Sequence, residues 1–217
     1  MPELRGKRRG IPLALVSASL MGLTPIFGKQ AITAGLQPLL VVALRTFAAT
    51  ALLLLIILVF RRRYLSIYPL GLAGCLAAGA LNGAGSLFFY AALARVDAIL
   101  GQLVFALYPV YVALLLYLDG QRPSRLTLLR LGLCFPSIFL LAAPREFAVD
   151  RVGVAEMLMA GLCYALHIPI NERVLYEVPA PTVTFYTLAA MTGVVVPAGL
   201  LLSQPTWQMP MGSWLPL

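Results

Sequence analysis

From Gly10 to Leu217 the chain is a near-continuous series of apolar runs, cut only by short basic or proline-containing links. About 20 apolar residues in a helix, at 1.5 Å each, cross a hydrocarbon core of roughly 30 Å. Several such runs in succession are more apolar surface than a soluble domain presents. The chain therefore reads as a polytopic membrane protein whose medium is the lipid bilayer. Lipid offers the backbone no partners, so only helices or a closed barrel can span it. Runs such as 51–60 lack the alternation of barrel strands. The expected fold class is all-α.

The charges narrow the function. Hydrophobic residues make up 61% of the chain and charged residues only 11%, against roughly 25% charged in soluble domains. The net charge of +8 sits in links between spans, where basic residues orient a chain in the membrane. It forms no basic groove interleaved with aromatics, so nucleic acid is not an expected partner. Cys75, Cys134 and Cys163 fall inside expected helices without a CxxC or a histidine cluster, which reads as packing and not as metal ligation. The sequence contains no P-loop, GxSxG or HExxH. Neither an enzyme nor a cofactor is expected.

Hydropathy predicts helices at 11–33, 37–60, 67–94, 98–118, 126–143, 153–175 and 181–203. Gly212 to Leu217 begins an eighth, giving about seven transmembrane helices and a short start of another. With the N-terminus in the cytoplasm, eleven Lys and Arg fall inside: Arg5, Lys7, Arg8, Arg9, Arg61, Arg62, Arg63, Arg122, Arg125, Arg130 and Arg173. Only Lys29, Arg95, Arg145 and Arg151 fall on the other side. That asymmetry favours a cytoplasmic N-terminus in a plasma membrane of the bacterial inner-membrane kind. The basic start mimics a signal peptide, yet no small-residue cleavage site follows, so a retained first helix is expected.

A shift of 143 positions lays the first two spans over the sixth and seventh without a gap. Gly10-Ile11 meets Gly153-Val154, Gly28-Lys29 meets Asn171-Glu172, and Pro38 meets Pro181. An odd number of helices separates the copies, so they enter the membrane from opposite sides. Such inverted repeats let one half of a secondary transporter rock against the other around a midplane site.

In these features the chain resembles the EamA-type permeases of the drug/metabolite transporter superfamily. The resemblance is carried by Ser19-Leu20-Met21-Gly22 with Pro25-Ile26-Phe27, by Pro38 with Leu44-Arg45, and by Phe89-Tyr90-Ala91-Ala92-Leu93-Ala94 with Ala98. Pro109, the link Asp119-Gly120-Gln121-Arg122-Pro123-Ser124 and the run Leu128 to Gly132 continue it. The chain departs from the family at Met21, where Trp is frequent, and at Asp119 or Gln121, where Glu is common. The resemblance implies a first five-helix unit at 10–143 and a partial second at 153–217. It implies export of small metabolites, amino acids or drug-like compounds by alternating access. A truncated, non-transporting remnant is the alternative, as is a subunit working as a homodimer or with a complementing chain.

Candidate site residues follow from polarity inside spans, where ionisable groups are expensive and call for partners or water. Arg45 either holds an anionic group or snorkels to the interface. Glu156 is a proton-coupling candidate or a wet interfacial carboxylate. His167, the only histidine, relays protons or bonds a neighbouring helix. Asn82, Gln102, Tyr108, Tyr111 and Tyr164 offer amide, hydroxyl and aromatic surface to a small-molecule substrate. Gly71, Cys75, Gly79 and Gly83, at intervals of four, predict a close-packing face. Pro25, Pro109, Pro136 and Pro169 predict midspan kinks, and Tyr64, Tyr68, Trp207 and Trp214 predict interface anchors.

Overall fold

A computed structural model of the protein describes residues 2–120, 129, 131–133, 136 and 150–202. The elements are α1 (Pro2–Thr33), α2 (Pro38–Phe60), a 3-10 turn (Arg62–Leu65), α3 (Pro69–Arg95), α4 (Ala98–Phe105), α5 (Tyr108–Leu118), α6 (Arg151–Leu175) and α7 (Ala180–Leu202). There is no strand among the described residues. Five stretches are long and apolar enough to cross a membrane: α2, α3, α4 with α5, α6 and α7. The expected helix at 126–143 falls, apart from isolated positions, outside the described residues. So do Cys134, Trp207, Trp214 and Gly212 to Leu217.

Local signals place the helix starts. Proline occupies the first turn of α2, α3 and α5, where its missing N–H costs nothing and its φ is already helical. Asp97 caps α4 by accepting from the Ile99 N–H at 2.8 Å. Asp150 caps α6 by accepting from Val152 at 2.8 Å and Gly153 at 3.4 Å. The expected span 98–118 is present as one apolar stretch, and the kink expected at Pro109 is where α4 gives way to α5. Ala106 and Leu107 keep right-handed helical dihedrals, but the Leu107 N–H bonds the Val104 carbonyl at 3.2 Å, three residues back instead of four. Pro109 cannot donate to the Phe105 carbonyl and its ring crowds that oxygen, so the helical hydrogen bonding breaks there. Pro25 and Pro169 do lie within α1 and α6, as Pro197 does within α7.

Helix α3 is the centre of the bundle because its glycines let two neighbours approach. Gly74 faces Val174 and Gly85 faces Cys163, while Gly153 of α6 faces Arg95 and Val96. These pairings run in opposite senses, so α3 and α6 are antiparallel. Gly79 lies against Thr187 and Ala190, and Gly83 against Met191 and Val194. These run in the same sense, so α3 and α7 are parallel. Across α7 lies α2, antiparallel to it: Ala43 meets Gly199 and Thr50 meets Thr192. The core follows this arrangement. Val42, Ala43, Tyr90, Met191 and Val195 fill the α2/α3/α7 junction, and Ala92, Leu93, Met157 and Ala160 fill the α3/α6 contact. The close-packing face expected on α3 is present: Gly71, Cys75, Gly79 and Gly83 are all buried.

Candidate functional site

The helix break positions the most distinctive side-chain cluster. Tyr108, just beyond the break, is the central residue of the span Ala98–Leu118. Its ring meets Tyr164 of α6 edge-on at 4.9 Å between centroids. Phe105, just before the break, touches both, at 5.7 Å from Tyr108 and 5.4 Å from Tyr164. Phe89 of α3 stands edge-on to Phe105 at 5.2 Å, and Tyr164 stacks obliquely on His167 at 4.8 Å. A small residue makes the room: Gly161 of α6 faces the Tyr111 ring, the Phe105 carbonyl and the Tyr108 Cβ.

The polar atoms of this cluster are defined. A carbonyl only accepts, so the 2.7 Å contact between His167 Nδ1 and the Tyr164 carbonyl places the proton on Nδ1. The neutral ring then presents Nε2 as an acceptor. No described residue hydrogen-bonds the hydroxyls of Tyr108 or Tyr164. The arrangement can grip an apolar or aromatic group between ring faces and edges, with two hydroxyls and one imidazole nitrogen to orient it.

The other sequence candidates lie elsewhere. Asn82 is the central residue of α3, half-buried, and its amide N–H points at the thioether of Met191 at 3.5 Å. Thioether sulfur is a weak acceptor, so most of the amide's capacity is left for another partner. Arg45 sits apart, its guanidinium 5.4 Å from the centroid of the buried Tyr90 ring, a cation–π geometry. Gln102 is exposed on α4. Glu156, one turn into α6, has Oε2 3.5 Å from Arg95 Nε. That is an ion pair without hydrogen-bond geometry, since the same oxygen is buried and has no hydrogen-bond donor among the described residues. Arg95 also lies 3.6 Å from Asp150. Thus Tyr108, Tyr164 and His167 come together, whereas Arg45, Asn82, Gln102 and Glu156 do not join them.

Several polar contacts escaped the sequence reading. Lys29 of α1 donates to the carbonyls of Leu93 and Val96 at 2.5 and 2.9 Å, placing a cation on the negative end of α3. Thr50 and Thr192 share a 2.7 Å hydroxyl contact between α2 and α7, and Thr50 also donates to the Thr46 carbonyl at 2.9 Å. The four-residue spacing of Thr46 and Thr50 was a readable signal; the partner 142 residues on was not. At the opposite end of the bundle, Tyr68 donates to Glu177 at 2.5 Å, Arg173 to Asp119 at 2.6 Å and Tyr186 to the Leu65 carbonyl at 2.7 Å. Outside the spans, the hydrogen bond to Glu177 pushes the Tyr68 hydroxyl up from its ordinary pKa, and the Arg63 hydrogen bond lowers that of Tyr64. The Val152 N–H, ahead of smaller contributions from Gly153 and Arg95, holds Asp150 below the usual carboxylate value.

Stacked apolar helices, a broken span and an aromatic cluster at the break define a multi-pass helical membrane protein. Comparison with known proteins makes this more specific. The family model for the EamA-like transporter family matches residues 8–143, and the chain belongs to that family. It is accordingly a membrane transporter of the drug/metabolite type. One solved structure, described only as "Crystal structure of protein", is 21% identical, with a TM-score of 0.57 over 92% of this chain and 72% of its own. That likeness speaks for the fold alone. No curated protein matches the chain.

Proposed function

We propose that the protein is a secondary permease that exports small metabolites, amino acids or drug-like compounds by alternating access. The observation that carries this reading is the break at Phe105–Tyr108, in the middle of a span, with Tyr108, Tyr164 and His167 gathered around it. Discontinuous helices at mid-depth are where transporters build substrate sites, because irregular backbone is tolerated there only against protein or a wet cavity. Asn82, central in the neighbouring α3, supplies the amide of the same path.

Two inverted units, 10–143 and 153–217, supply the moving parts in this proposal. Supporting it, α6 and α7 pair with α3 and α2 of the first unit, and α2 and α7 cross antiparallel near their centres through Thr50 and Thr192. The proposed orientation has the N-terminus in the cytoplasm of a plasma membrane; the basic residues support it, Arg61 to Arg63 and Arg173 lying at one end of the bundle. Arg45 and Gln102 contribute at the edge of the path. Glu156 is the proton-coupling group, its carboxylate alternating between Arg95 and a proton.

Efflux from cells, and from proteoliposomes carrying the purified chain, tests the reading. Transport of a panel of aromatic and apolar compounds should fall with Tyr164→Ala and Asn82→Ala, each checked for insertion. Absence of any transport by the wild-type chain, alone or with a second copy, would favour a non-transporting subunit instead.

A further inference from the structure

We propose that the Arg61–Arg62–Arg63 turn and the adjoining outer face of α2 bind one anionic phospholipid. The phosphate would sit on the guanidinium groups and an acyl chain along the helix. Three observations converge on this surface. First, the three arginines are exposed, and no carboxylate pairs with any of them among the described residues. By contrast Arg95 and Arg173 each have a carboxylate partner.

Second, the turn is held in place. The Tyr64 N–H donates to the Arg61 carbonyl at 3.0 Å and the Ser66 N–H to that of Arg63 at 3.3 Å. The Tyr186 hydroxyl ties Leu65 to α7 at 2.7 Å. Arg62 folds its Nε onto the Leu58 carbonyl at 3.0 Å, and Arg63 stacks on the Tyr64 ring at 5.2 Å. Arginines fixed in this way present a fork to a phosphate with little further loss of freedom.

Third, the surface beside the turn is apolar and exposed. Leu52, Leu55, Ile56 and Val59 are spaced along one face of α2, and Phe60 follows at its end. That face covers roughly 10 Å of helix from Leu52 to Val59, enough to accompany the first part of an acyl chain. A cationic turn above and an apolar helix face below follow the amphipathic order of a phospholipid. Free phosphate would use only the upper half.

The test uses the purified full chain, with lipid retention read by native mass spectrometry after exchange into phosphatidylglycerol or phosphatidylcholine vesicles. Phosphatidylglycerol should be retained at least tenfold better, and inorganic phosphate should not displace it. Each arginine near an anionic surface is expected to contribute about fivefold. The triple variant Arg61→Gln, Arg62→Gln, Arg63→Gln should therefore lose most of the preference, whereas the triple lysine variant keeps part of it. A second measurement needs no variant: the wild-type preference should shrink as NaCl rises from about 0.05 to about 0.5 M, because screening shortens the reach of the charges. Equal retention of the two lipids, a salt-independent preference, or displacement by inorganic phosphate would overturn the proposal.

Discussion

Gly79 gives the sharpest quantitative test of the packing around α3. A Cβ built there would overlap the Thr187 carbonyl of α7 and lie 2.5 Å from the Ala190 Cβ. Both obstacles belong to a helix whose backbone cannot rotate aside, so α3 and α7 must separate. Overpacking of this kind costs about 1–3 kcal/mol, against roughly 0.5–1 kcal/mol gained by alanine over glycine in a helix. Gly79→Ala should therefore lose about 1–2 kcal/mol net, a fall of roughly 2–8 °C in Tm at 2–4 °C per kcal/mol. Gly193 is the internal control. It lies on α7 with nothing within 4 Å of its would-be Cβ, so Gly193→Ala should leave Tm unchanged or raise it slightly. Both variants are compared by thermal unfolding in one detergent. Equal effects, or a more stable Gly79→Ala, would refute the close approach of α3 and α7.

Three further outcomes are expected. Lys29→Met leaves the Leu93 and Val96 carbonyls without their charged donor and should cost about 1.5–3 kcal/mol, read as a lower Tm and faster proteolysis at the C-terminal end of α3. Asp150 has a folded pKa below its unfolded value, so its contribution is present above the ordinary carboxylate range and lost as pH falls through the lowered value. Hydrogen exchange at Val152 and Gly153, corrected for intrinsic rates, should lose protection at acid pH in the wild type and change less in Asp150→Asn. Tyr108→Phe keeps the ring contacts at 4.9 and 5.7 Å but removes the hydroxyl. It should preserve Tm while weakening transport of hydrogen-bonding substrates more than that of purely apolar ones.

The helices were legible because lipid leaves the backbone few alternatives. Proline at the starts of α2 and α3 and aspartate before α4 and α6 put most boundaries within about two residues of expectation. The glycine interval on α3 was equally readable, since a helix brings every fourth residue to one side. The interruption within 98–118 was legible as a kink at Pro109, but unbroken hydrophobicity hid the two separate helical pieces on either side of it. At the site, Tyr164 and His167 lie three apart on one helix and their contact was within reach of periodicity. Their meeting with Tyr108 and Phe105, and the roles of Lys29, Arg95 and Thr192, depend on partners tens of residues away. Such contacts are fixed by helix packing and leave no local trace in a single sequence.

The proposed alternating access requires Tyr164 to face a path opened by turns to each side of the membrane. Its direct measurement is a single Tyr164→Cys in a background with Cys75, Cys134 and Cys163 replaced by alanine, challenged with a membrane-impermeant thiol reagent. In right-side-out and inside-out vesicles alike the thiol should be modified, and bound substrate should slow both reactions. Modification from neither face, or from one face at a rate indifferent to substrate, would contradict the account.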